Sequence, residues 1–137
     1  MRQQFQRTGI EPSWLSFEVT ETAAVADLTR SAGIIHELKS LGCKVALDDF
    51  GSGLASYSYL KELPVDWLKI DGVFVRKIAA DREDHAVVRS INEIGHFLGK
   101  KTIAEYVSSD EILSLVCEIG VDFAQGFGIS PPLLLDD

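Results

Sequence analysis

Positive charge is scarce in this 137-residue chain, where 13 Lys and Arg stand against 21 Asp and Glu for a formal net charge of −8. Such a deficit argues against a protein that grips the phosphate backbone of DNA or RNA, because that affinity rests on a basic surface. It leaves room for a nucleotide held through metal ions. Cysteine is nearly missing: Cys43 and Cys117 each lie beside an apolar segment, without the spacing of a zinc site or a disulfide framework. Two reduced core thiols in a cytosolic setting are expected. No apolar run reaches the length of a membrane span and no signal peptide is present, so any anchor would lie elsewhere in a longer protein. At 46% hydrophobic residues the chain is long enough for one compact domain with a core, and too short for two.

Polar chemistry is concentrated between Lys44 and Asp71, KVALDDFGSGLASYSYLKELPVDWLKID. Val45, Ala46 and Leu47 have the length of a buried strand, and Asp48 and Asp49 follow where it would leave its sheet. Two adjacent carboxylates repel each other unless a cation neutralises them. The plain alternative for Asp-Asp before a glycine is a solvated turn. Phe50-Gly51-Ser52-Gly53 supplies a flexible turn, weak evidence of a phosphate cradle by itself. Trp67 to Asp71 then reads as a strand carrying Lys69, a poor residue for a buried strand unless it meets an anion, although strand lysines also snorkel or mark edges. The combination is what counts. Glu18 and Glu21, Glu105, and the Gln125-Gly126 pair all fall at or near expected strand ends.

Taken in order, Met1 to Thr8 looks like the last turns of a helix closed by Gly9, so the chain reads as a piece opening within an element. Glu11-Pro12-Ser13 is a turn and Trp14 to Thr20 a strand. Ala24 to Leu41 carries an apolar stripe of Leu28, Ile34, Ile35, Leu38 and Leu41, stopped by Gly42. The strand Lys44 to Asp49, a short helix from Ala55 to Leu63 ended by Pro64, and the strand Asp66 to Asp71 follow. A helix spans Glu83 to Leu98, a strand Lys101 to Val107, a helix Ser109 to Glu118 closed by Gly120, and a last strand Val121 to Phe127. Strands and helices alternate every 20 to 30 residues or so, the pattern of βα units with parallel strands. Polar residues at every strand's C-terminal end favour part of a barrel over an open sheet. His36, His85 and His96 fall in helices without a ligand-spaced partner and read as structural or surface residues. Trp14 and Trp67, at strand starts, read as core anchors.

Glu18-Val19-Thr20-Glu21, the run DDFGSG from Asp48 to Gly53, Leu68-Lys69-Ile70-Asp71, Ala104-Glu105, and Gln125-Gly126 with Pro131 beyond resemble the later motifs of the EAL domain family, the cyclic di-GMP phosphodiesterases. The order and spacing match along nearly the whole chain. The resemblance implies an α/β fold: a partial TIM-like barrel of about five βα units, strands four to eight of the full one. Residues 1–137 would form a single partial domain, with the Glu-Ala-Leu and asparagine motifs upstream of Met1. It further implies hydrolysis of one phosphodiester bond of cyclic di-GMP to linear pGpG with two Mg²⁺ or Mn²⁺ ions, cytoplasmic signalling, and sensory or GGDEF-type domains in the parent protein. Glu18 would bind the first metal, Asp48 would bridge both, and Asp49 and Glu105 would hold the second. Lys69 would meet the scissile phosphate or attacking water, and Gln125 would lie beside them. Glu21 would anchor the loop Phe50 to Tyr57, which carries Gly51, Ser52 and Gly53 and contributes to dimer contacts.

Departures from the family's pattern bear on activity, the loss of a glycine and a glutamate more than the mild exchange at Ser52. Where the family reads Glu-Gly-Val-Glu, this chain has Glu105-Tyr106-Val107-Ser108, and Ser52 replaces the usual threonine. With the upstream ligands absent as well, weak or no turnover by this chain alone is expected. A non-catalytic module binding cyclic di-GMP or a protein partner is the alternative, and an intact upstream motif would discriminate against it. Strands Leu15 to Thr20 and Val121 to Phe127 would be open edges without the lysine or proline that protects natural ones, so a homo-oligomer is expected.

Overall fold

The computed structural model describes residues 1–52 and 57–134. They fall into two compact units, Met1–Trp67 and a second from Leu68 onward.

In the first unit, α1 (Arg2–Thr8) ends at Gly9, whose left-handed φ of 70° lets its N–H bond the Phe5 carbonyl. A 3₁₀ turn (Pro12–Trp14) leads into β1 (Ser16–Thr20), and β2 (Lys44–Phe50) pairs with it in parallel, from Ser16 opposite Lys44 to Thr20 opposite Asp48. Val45, Ala46 and Leu47 are buried in succession, as expected for a strand covered on both faces. The single helix expected over Ala24 to Leu41 is instead two, α2 (Glu21–Ala26) and α3 (Leu28–Ser40). Competing caps explain the break. Thr20 Oγ1 accepts from the Ala23 N–H at 3.3 Å and Asp27 Oδ1 from the Arg30 N–H at 3.1 Å, so each segment starts on its own cap. Ile35 and Leu38 are buried, but Ile34 is 47% exposed and leaves the expected stripe. Trp14, 76% exposed, anchors no core here. A second 3₁₀ turn (Tyr57–Lys61) stands where a helix from Ala55 was expected, Ala55 itself lying outside the described residues.

β3 (Trp67–Ile70) leads into the second unit, followed by α4 (Gly72–Val75), α5 (Arg82–Phe97), β4 (Lys101–Ala104), α6 (Asp110–Ile119) and β5 (Phe123–Ala124). The strands lie in the order β3, β4, β5, with β4 and β5 parallel. The short α4 has no periodic signal in the sequence; Asp71 starts it by accepting from the Val73 N–H at 2.9 Å. Only Phe123 and Ala124 of the expected Val121 to Phe127 are strand, because Asp122 and Gly126 are engaged otherwise. Asp122 Oδ2 accepts from the Thr102 N–H at 2.8 Å and lies 2.6 Å from His96 Nε2, while Thr102 Oγ1 donates to Asn92 Oδ1 at 2.6 Å. This network fastens α5 to β4 and to the turn before β5. It gives His96 a carboxylate partner that helix spacing could not reveal.

Cys43 is buried and Cys117 exposed, which corrects the expectation of two core thiols; both are free. Among the described residues no helix is long and apolar enough to cross a membrane.

Candidate active site

In the first unit the acidic residues gather where β1 and β2 end. Glu18 lies opposite Ala46 and Thr20 opposite Asp48, so by the two-residue period of a strand Glu18 and Asp48 share one face of the pair. Asp48 is half-buried and Asp49 exposed. Asp49 adopts φ 53°, a left-handed conformation that Asp tolerates better than most residues, and its N–H donates to Asp48 Oδ1 at 2.9 Å. This local bond orients the Asp48 carboxylate.

Glu21, 3% exposed, joins the loop after β2 to the 3₁₀ turn. Its Oε2 accepts from the Gly51 N–H at 3.0 Å, and its Oε1 accepts from the Tyr59 hydroxyl. Burial first, then the Glu21 carboxylate, pushes the Tyr59 hydroxyl well above the usual phenol range, so it stays a donor. Phe50 is fully buried, with its ring 6.1 Å from Tyr57 and 6.5 Å from Tyr59. It fixes the start of the loop from the core side. Ser52 Oγ donates to the Asp49 carbonyl at 2.8 Å, and Gly53 lies outside the described residues. Tyr59 was missed by sequence reasoning because 38 residues separate it from Glu21, and no periodicity links them.

In the second unit Lys69 and Glu105 meet. Lys69 is 6% exposed on β3 and Glu105 9% exposed just past β4, with Nζ 3.1 Å from Oε1. The anion that a buried strand lysine requires is thus Glu105. The Glu105 N–H bonds the Ile70 carbonyl at 3.4 Å, continuing the pairing beyond β4. Gln125 is interleaved with this segment: its N–H bonds the Ala104 carbonyl at 2.9 Å, and its carbonyl accepts from the Val107 N–H at 3.0 Å. Gly126 makes that approach feasible, since a Cβ there would lie 2.3 Å from the Val107 carbonyl oxygen.

Glu105 and Gln125 open on a cleft of about 460 Å³, lined also by Arg76, Tyr106, Ser108, Gly126 and Phe127. Tyr106, where the sequence departs from the resembled motif, is 59% exposed and held at φ 55°. The guanidinium carbon of Arg76 lies 5.1 Å from its ring centroid. Arg76 was not singled out in the sequence; it sits on the unpredicted α4 side of the cleft.

The carboxylates expected as metal ligands, Glu18, Asp48, Asp49 and Glu105, offer only hard oxygen donors, with no sulfur or imidazole in the set. That chemistry fits Mg²⁺ or Mn²⁺ rather than a softer ion.

The family model described as EAL domain matches residues 1–132. Over 116 residues the chain is 47% identical to a protein named cyclic di-GMP phosphodiesterase PdeB from Shewanella oneidensis, covering 85% of this chain and 14% of that one. It is 37% identical over 133 residues to the bifunctional diguanylate cyclase/cyclic di-GMP phosphodiesterase MucR of Pseudomonas aeruginosa, covering 97% of this chain and 19% of MucR. A solved structure of the PaMucR phosphodiesterase in complex with c-di-GMP superposes with a TM-score of 0.90 at 37% identity, over 96% of this chain and 53% of that one. A manganese/cyclic di-GMP complex of Klebsiella pneumoniae BlrP1 superposes with a TM-score of 0.83 at 30% identity, over 91% of this chain and 32% of that one. The chain therefore spans less than a fifth of the curated relatives' length. The likeness to solved relatives over nearly all of it bears out the α/β, partial TIM-like barrel expected from sequence.

Proposed function

The chain belongs to the EAL domain family, and on that premise we propose that it is the C-terminal part of a phosphodiesterase domain hydrolysing cyclic di-GMP to linear pGpG. The observation that carries the reading is Glu105, ion-paired with the buried Lys69 and lining a cleft together with Gln125. Glu18, Asp48, Asp49 and Glu105 would hold two Mg²⁺ or Mn²⁺ ions. Bound there, the ions would supply Lewis acidity toward a phosphodiester. Lys69 supplies a fixed positive charge for the scissile phosphate or the attacking water. Its burial keeps that charge weakly hydrated and therefore effective. Gln125, positioned by backbone bonds on either side, orients the same groups. Glu21, with Tyr59, holds the loop that begins at Phe50 and carries Gly51, Ser52 and Gly53.

The reading includes sensory or GGDEF-type domains elsewhere in the protein, a cytoplasmic setting supported by the free thiols of Cys43 and Cys117, and self-association of the chain. A second reading, a module that binds cyclic di-GMP without cleaving it, is favoured by Tyr106 and Ser108 lining the cleft beside Glu105. Turnover of cyclic di-GMP by the intact protein, followed by chromatography with Mg²⁺ or Mn²⁺ present, separates them. Asp48→Asn should abolish production of pGpG. Unchanged turnover in that variant would remove the metal-site reading, and tight binding without turnover by the unaltered protein would favour the module.

A further inference from the structure

We propose that Asp122 is a positioning residue for Gln125: by fastening the start of β5 to Thr102 of β4, it fixes where Gln125 enters the cleft. The inference rests on the phosphodiesterase reading above and deepens it. β5 is only two residues long, Phe123 and Ala124 opposite Ile103 and Ala104, and among the described residues strand pairing holds it from the β4 side alone. So short a ladder supplies few bonds of its own. Side chains complete it at its N-terminal end. Asp122 Oδ2 accepts from the Thr102 N–H at 2.8 Å, and Thr102 Oγ1 accepts from the Asp122 N–H at 3.3 Å, a reciprocal pair one residue before the paired stretch. Thr102 is fully buried, and its hydroxyl is held in turn by Asn92 of α5 at 2.6 Å, so the anchor itself is fixed.

Gln125 follows Asp122 by three residues, about 10 Å along an extended chain. Beyond it, Gly126 and Gly128 press on the backbone after β4, where an added Cβ would lie 2.3 Å from the Val107 carbonyl oxygen and 2.7 Å from the Ser108 carbonyl carbon. A one-residue slip of β5 would put a side chain in a glycine's place, so those contacts forbid it. Gln125 is therefore held between two fixed points, and cutting the first loosens it without creating a new register. The exposed His96 reaches the same Asp122 oxygen at 2.6 Å from α5, and the Lys101 ammonium lies 3.9 Å from the other oxygen. Neither contact joins the backbones of the two strands, so both act on stability rather than on Gln125.

Turnover of cyclic di-GMP by the intact protein with Mn²⁺ present, together with hydrogen exchange read by mass spectrometry, tests this. Asp122→Ala should lower kcat about tenfold with KM little changed, a loss in the range of a slightly misplaced catalytic group. It should also speed exchange of the segments at Val107 and Gln125 about tenfold relative to Ile91 in the core of α5. Asp122→Asn keeps an oxygen for the Thr102 N–H and should hold kcat near that of the unaltered protein, a test that stands even if the alanine variant does not fold. In a Gln125→Ala background, Asp122→Ala should cost no further kcat, because it acts through Gln125. His96→Ala should lower the melting temperature and leave kcat as it is. Multiplicative losses from Asp122→Ala and Gln125→Ala, or a loss of kcat in His96→Ala equal to that of Asp122→Ala, would reduce Asp122 to a stabilising residue and overturn the proposal. No turnover by the unaltered protein overturns the reading on which it rests, and unchanged exchange at Gln125 in Asp122→Ala overturns the positioning whether or not turnover is seen.

Discussion

Replacing Lys69 by methionine tests whether the Lys69–Glu105 pair is a buried electrostatic unit. Methionine keeps the length and apolar stem of lysine and removes the ammonium, so packing on β3 is largely retained. The two side chains are 7% and 11% exposed and 3.1 Å apart, too buried for water to take over the lost interaction. Removing one member of such a pair leaves a charge with its counter-ion gone and costs about 3–5 kcal/mol. A domain of this size has roughly 5–15 kcal/mol in all, so Lys69→Met should move the urea midpoint substantially. Glu105→Gln should destabilise as well, by removing the carboxylate charge that faces the buried ammonium at 3.1 Å. The double variant should be far less harmful than the sum, because a neutral pair no longer has charge to desolvate. A coupling of about 2 kcal/mol from the four urea titrations is expected, within the range for contacting residues. Additive single effects, or a cost below about 1 kcal/mol for Lys69→Met, would show that the pair is solvated and that the burial argument is wrong.

Two further outcomes are expected. Asp122 is held below the usual carboxylate range: burial alone would raise it, but the Thr102 N–H and His96 outweigh that effect. A depressed folded value means that Asp122 contributes stability above its ordinary value of 3.8 and loses it as pH falls through the lower folded value. Asp122→Asn should therefore flatten the acid limb of stability against pH, measured by urea midpoints from pH 2 to 6, and an unchanged limb would count against the network. Phe123, Phe127, Ile129, Leu133 and Leu134 are all half or more exposed in the second unit, an apolar surface that favours association. Light scattering over a concentration series should give a mass above 15.1 kDa that rises with concentration; a constant monomer mass would show that this surface is tolerated in water.

The sequence by itself determined the alternation of strands and helices, since strand and helix periods and the glycine stops at Gly9 and Gly120 are local signals. It also placed Asp48, Lys69, Glu105 and Gln125 at or near strand ends and marked Tyr106 as a departure, because residue identity and order need no coordinates. Tertiary structure decided the pairings. That Glu105 is the anion for Lys69, that Tyr59 shares Glu21 with Gly51, and that His96 meets Asp122 depends on contacts spanning 26 to 38 residues, beyond any spacing rule. It also decided how the Tyr106 ring is held: a left-handed backbone and the bare Cα of Gly72 are properties of packed space, and a substitution read along the chain reveals neither.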